Sequence, residues 1–185
     1  VKAADLLTRK WRSPYLPLGA FEGGFVIGDI VPSNPGEEVV YAGTDYVYAL
    51  DGRSGTTLWT YYDTDIGGYA KPNLYDIDGD GDLEVLVPLY YPPGVLVLYG
   101  DGSLWWKRSF GSGGSIMSSP VACDVDGNGR MEIFIAMQDV EAGPTTPTRF
   151  DGQIRKLSYT GTILAQSFSW RSCGGGVSIA DTDND

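Results

Sequence analysis

The sequence predicts an all-β chain made of repeats of one four-stranded antiparallel unit. Three observations predict it: 26 glycines and 12 tyrosines among 185 residues, short Val/Ile/Leu runs broken by turn residues, and an acidic motif that returns at a nearly constant interval. Helix is a poor match to this composition.

The interval organises the chain. Asp29, Asp76, Asp124 and Asp181 each close a short apolar run ("VIGD", "NLYD", "VACD", "SIAD"), at spacings of 47, 48 and 57 residues. After each of the first three comes an acidic loop, then a strand-like run: "EEVVYAG", "LEVLVPL" and "MEIFIAM". The segments "YVYALDGRSGTTLWTY", "GVLVLYGDGSLWWKRSF" and "GQIRKLSYTGTILAQSF" follow, each two strand-like stretches around a glycine-containing turn, which is a hairpin pattern. Each unit therefore reads as strands A to D. Four short strands at this period are the pattern of β-propeller blades, whose sheets bury their faces against one another.

Residues 1–20 hold an N-terminal outer strand, because Trp11 lies 48 residues before Trp59, which lies 46 before Trp105. Residues 21–67 form a first blade with a degenerate acidic loop, and 68–114 a second with a complete one. Residues 115–173 form a third, whose insertion at 138–150 expands the loop between strands B and C; 174–185 begin a fourth. Opening on a strand D and closing on a strand A leaves unmatched sheet edges, which proteins ordinarily protect. The expectation is a piece of a larger propeller, completed by further chain or by a second copy. The start at Val1 without an initiator methionine is consistent with a processed or excised piece.

Composition excludes several function classes. A net charge of -11 argues against nucleic acid and anionic membranes as partners, and no apolar run approaches the roughly 20 residues of a membrane-spanning helix. There is no histidine, which removes Ser/His/Asp and Cys/His nucleophilic machinery and the common zinc sites. Cys123 falls at the loop end of one strand A and Cys173 before the next strand A, on the opposite face, and a strand's length of roughly 17 Å between such positions is too far for a disulfide. No catalytic residue is assigned.

In "DIDGDGDLE" five carboxylates fall within nine residues, and such a cluster is strongly repulsive unless a cation sits in it. Side-chain oxygens at the first, third, fifth and ninth positions (Asp76, Asp78, Asp80, Glu84), with the backbone carbonyl of Asp82 at the seventh, form the hard oxygen set that Ca2+ prefers over the octahedral, water-retaining sites of Mg2+. "DVDGNGRME" repeats the pattern as Asp124, Asp126, Asn128 and Glu132. Its seventh position is Arg130, which can contribute only its backbone carbonyl. "DTDND" offers Asp181, Asp183 and Asp185 as an incomplete third site. The first blade's "DIVPSNPGEE" has Val31 at the third position and an extra residue, so no metal is expected there. An isolated Asp-Gly pair usually means only a solvated turn, but two full matches in register with a repeat favour about two calcium sites.

These loops, followed by "EVLVPL" and "EIFIAM", resemble FG-GAP or VCBS-type propeller repeats, the calcium-loop blades of integrin heads and many microbial surface proteins. "ALDGRSGTTLW" also resembles the quinoprotein-type (PQQ-like) blade motif, with serine where that motif has threonine. The resemblance implies that Trp59 docks between blades, with Trp11 and Trp105 in the same role. It implies that calcium stiffens the blade and that ligands meet the opposite face, made by the D-to-A and B-to-C loops. On that face Tyr69, Tyr90, Tyr91, Trp170 and Arg171 are ligand-binding candidates, although most aromatics there are expected to pack between blades.

The leading expectation is a secreted or cell-surface, calcium-binding propeller acting as a glycan- or protein-binding adhesion or scaffold module. The alternatives are the propeller portion of a rhamnogalacturonan-type polysaccharide lyase, a self-assembling surface-layer or filament subunit, and a quinone-dependent dehydrogenase. The last lacks a vicinal cysteine pair and a full set of quinoprotein motifs.

Overall fold

The computed structural model describes residues 11–12, 24–67, 71–111, 114–116, 118–141, 149–169 and 177–179. Among these residues every regular element is a strand, and no helix is long and apolar enough to cross a membrane. The first sheet contains β1 (Gly24–Gly28), β2 (Glu38–Gly43), β3 (Tyr46–Asp51) and β4 (Thr57–Tyr62). β5 (Asn73–Tyr75), β6 (Glu84–Leu89), β7 (Gly94–Leu98) and β8 (Leu104–Ser109) form the second. The third has β9 (Ser115–Ile116), β10 (Val121–Cys123), β11 (Glu132–Glu141), β12 (Arg149–Leu157) and β13 (Ile163–Ser169). Within each sheet, apart from the short β9, every strand pairs antiparallel with its sequence neighbours, so the three sheets are successive four-stranded blades of a propeller-type fold.

The middle blade shows why its sequence looks as it does. Strands β6 and β7 are buried along their whole length, which requires continuous apolar runs rather than alternation. Val85, Val87, Leu89, Leu96 and Leu98 pack with Val40, Ala42, Val47 and Ala49 of the first blade. Leu86, Val95 and Val97, on the opposite face, pack with Ile133, Ile135, Met137 and Leu157 of the third. Each such side chain contributes about 1.5–3 kcal/mol by leaving water. The outer strands β4 and β8 are only partly covered, and there the sequence turns polar.

Three features differ from the sequence expectation, two in the third blade and one at the tryptophans. The insertion at 138–150 is not simply a longer loop. Its flanks extend the ladder as far as Val140 opposite Phe150 and Glu141 opposite Arg149, making a long β11–β12 hairpin. Strand A of the third blade is also split into β9 and β10. Between them Ser118 replaces the missing ladder bonds: its Oγ donates to the Ala136 carbonyl at 2.7 Å and accepts the Ala136 N–H at 3.1 Å.

The inter-blade tryptophans are Trp11, Trp59 and Trp106. Their indole N–H groups donate to the carbonyls of Gly52, Gly100 and Tyr159, at 2.9, 2.8 and 2.8 Å. Trp106 therefore takes the docking role expected of Trp105, because it opposes Val97 in the ladder as Trp59 opposes Ala49. Trp105 instead stacks on Tyr99, with ring centroids 5.1 Å apart. Each docking indole lies against a turn glycine: a Cβ at Gly102 would come within 2.6 Å of Trp59.

Candidate metal centres

Each acidic loop leaves strand A and returns at the first residue of strand B, so its ninth-position glutamate is fixed by the sheet. Glu84 opens β6 and Glu132 opens β11; they are only 2% and 5% exposed. Glu84 accepts the Ile77 N–H at 3.0 Å, and Glu132 accepts the Val125 N–H at 3.1 Å. Around this anchor Asp76, Asp78 and Glu84 bring carboxylate oxygens within 4.8 Å of one another, as do Asp124, Asp126 and Glu132.

The loops are wound by the same hydrogen bonds. Asp76 Oδ1 accepts the N–H groups of Gly79 (2.7 Å) and Asp80 (3.1 Å), and Oδ2 accepts Gly81 N–H (2.9 Å). Asp124 does the same with Gly127 (2.8 Å), Asn128 (3.1 Å) and Gly129 (2.7 Å). At the fifth position Asp80 accepts Asp82 N–H and Asn128 accepts Arg130 N–H, both at 2.9 Å. Winding of this kind needs positive φ at Gly79, which is at 78°. A Cβ there would also come within 2.5 Å of the Gly129 carbonyl, so the two loops lie against each other.

The electrostatics favour a cation. Burial, opposed by the Ile77 N–H and reinforced by Asp78, Asp80 and Asp76, pushes the Glu84 carboxyl up to about 7. A buried carboxylate beside two others is costly until a positive charge joins it. In the third blade the Gly129 N–H leads the backbone donors that hold Asp124 below its ordinary range. Arg130 turns away from the loop to hydrogen-bond and cover the Tyr159 ring, while Lys156 Nζ lies 3.8 Å from Glu132 Oε1.

The first blade surrounds its glutamate differently. Glu38, fully buried at the same position, accepts the N–H groups of Ile30 and Val31 on Oε2, at 2.9 and 3.1 Å. Its Oε1 accepts the Asn34 side-chain amide at 2.6 Å. A donor from within the loop thus satisfies the glutamate, in keeping with the missing carboxylate at Val31.

Of the other candidate residues, Tyr90 and Tyr91 lie in the turn between β6 and β7, at the far end of the blade from Glu84. Tyr69, Trp170, Arg171, Asp181, Asp183, Asp185 and Cys173 lie outside the described residues, and Cys123 is a free thiol. The sequence reading missed Asn34, whose place one residue before the turn "PG" carries no metal signal, and Lys156, whose proximity to Glu132 depends on β11–β12 pairing.

Fold and loops together define an all-β, propeller-type protein of four-stranded blades, two of which carry acidic groups that could hold a metal ion. No protein-family model matches the chain, and no curated protein matches it. Among solved structures, BamB from Moraxella catarrhalis is similar over 78% of this chain and 62% of its own, at 14% identity and a TM-score of 0.36. The V. cholerae biofilm matrix protein Bap1 is similar over 83% of this chain and 30% of its own, at 18% identity and a TM-score of 0.38. The chain spans less than two thirds of the length of either.

Proposed function

We propose that the protein is a calcium-stiffened propeller module that works outside the cell or on its surface and binds glycan or protein. The observation that carries this is the duplication of one donor set, Asp76/Asp78/Glu84 and Asp124/Asp126/Glu132, on one wound loop in adjacent blades. The remaining ligands are the fifth-position side chains of Asp80 and Asn128 and the carbonyls of Asp82 and Arg130, an all-oxygen set suited to Ca2+. Bound there, the ion neutralises the carboxylates and locks strand A to strand B; the metal's task is structural. Extracellular calcium is abundant enough to fill loops of modest affinity, which supports the location.

The test is calcium titration by calorimetry and thermal melting of the protein and of Asp78→Ala combined with Asp126→Ala. Binding at about two sites with a raised melting temperature, absent from the double variant, is expected. The absence of both binding heat and a rise in melting temperature would overturn the reading.

A further inference from the structure

At the end of the blades opposite the cation loops, a pocket of about 250 Å³ lies between the first two blades. We propose that it is a binding site for a single neutral sugar ring. This deepens the glycan-binding reading above and rests on it.

The walls come from three separate pieces of chain. Thr44 and Asp45 form the turn between β2 and β3, Thr64 to Gly67 connect the first blade to the second, and Tyr90 and Tyr91 begin the β6–β7 turn. Backbone bonds hold these pieces in register. Asp45 N–H donates to the Ile66 carbonyl (3.1 Å), Asp63 N–H to the Asp45 carbonyl (2.9 Å) and Tyr90 N–H to the Asp65 carbonyl (2.8 Å), while Ile66 bridges to Leu89. Lys107 Nζ clamps the connection from outside, 2.7 Å from Asp63 and 2.6 Å from Asp65. The pocket is therefore built by the fold before any ligand arrives, which lowers the ordering cost of binding.

The chemistry selects the ligand class. Tyr91, 58% exposed at the pocket's edge, offers a ring face for the apolar C–H side of a pyranose, and Tyr90 adds aromatic wall beside it. The Asp45 carboxylate and the Thr64 hydroxyl are acceptors for ligand hydroxyls. Thr44 lines the same pocket, and its Oγ1 is a buried oxygen without a hydrogen-bond partner. Among the described lining residues none is cationic and one is anionic, and Lys107 is already engaged by its two aspartates. Uronates and sulfated or phosphorylated sugars are thus disfavoured. The volume lies just below the roughly 300–1,000 Å³ of ordinary small-molecule pockets, which suits one ring rather than a chain.

The test is titration of calcium-loaded protein with a panel of neutral methyl hexopyranosides and the matching uronates, followed by saturation-transfer NMR and calorimetry. At least one neutral glycoside should bind with a millimolar Kd and its uronate about tenfold or more weaker. Tyr91→Ala and Asp45→Asn, both with unchanged melting temperature, should each weaken binding about tenfold; asparagine tolerates the left-handed backbone of Asp45 (φ 64°). Absence of binding by every neutral glycoside, equal binding of the uronate, or full binding by both variants would each overturn the proposal. A glycan array on the same proteins separates the two readings. Binding kept by Tyr91→Ala and Asp45→Asn overturns the pocket and leaves the glycan-binding module standing.

Discussion

The main-chain N–H of Met131 donates to the carbonyl of Ile77 at 3.0 Å. Met131 precedes Glu132 of one cation loop, and the N–H of Ile77 binds Glu84 of the other. One residue, Ile77, thus joins the anchors of both sites through its N–H and its carbonyl. Hydrogen exchange should show the Met131 amide slowing when calcium is added. In Asp78→Ala, whose third-blade loop is intact, much of that protection should be lost, because the acceptor belongs to the altered loop. Equal protection in the two proteins would mean that the loops order independently.

The two sites should differ in affinity. The second-blade loop carries Asp76, Asp78, Asp80, Asp82 and Glu84, whereas the third-blade loop has only Asp124, Asp126 and Glu132 and includes Arg130. Lys156 adds an ammonium 3.8 Å from Glu132. Calorimetry should therefore resolve a tighter and a weaker site, Asp78→Ala removing the tighter. Lys156→Ala should strengthen the weaker by roughly three- to tenfold, the effect of one screened charge at that distance.

Glu84 sets a pH dependence whose sign reverses with the metal. Its carboxyl rises on folding from an ordinary value of 4.5 to about 7. Its contribution to the stability of the calcium-free protein is therefore fully present below about 4.5 and is lost as pH rises through about 7. Calcium needs the ionised form, so affinity at this site should fall as pH drops below about 7, with proton release on binding. Glu84→Gln should flatten the first profile and abolish calcium binding there. A calcium affinity constant between pH 5 and 8 would contradict this assignment.

In the first blade, Asn34→Ala removes the amide that satisfies Glu38 Oε1. Leaving a buried carboxylate oxygen unpaired costs about 1–3 kcal/mol, so urea denaturation should shift by that much while calcium stoichiometry stays unchanged.

Trp106→Phe keeps an aromatic ring but orphans the Tyr159 carbonyl, and should destabilise by about 1 kcal/mol. Trp105→Phe, which preserves the stack on Tyr99, should cost less. The reverse order in chemical denaturation would restore the role to Trp105.

That pair shows where the sequence is legible. Repeats of Asp29, Asp76 and Asp124 disclose the blades, because each marks the same passage from strand A into its loop. Choosing Trp105 by an interval of 46 from Trp59 fails, because the blades repeat at 47 residues, the interval from Asp29 to Asp76, which from Trp59 reaches Trp106. Counting from the aspartates works: Trp59 and Trp106 each lie 30 residues beyond Asp29 and Asp76. The metal groups could be read because their donors are local, within nine residues. The proposed sugar pocket could not, since Thr44, Thr64 and Tyr91 are brought together by backbone bonds between separate segments, among them the Ile66–Leu89 bridge and the Tyr90 N–H to the Asp65 carbonyl.

The indole bonds span 41, 41 and then 53 residues, the longest crossing the third-blade insertion, yet their lengths differ by only 0.1 Å. Spacing between neighbours is thus gauged at one end of the blades, by a donor and a turn, while length is free to change at the other. Such a fold can lengthen its variable rim without retuning the joints, and segments grafted at 142–148 should leave the pitch of the blades as it is.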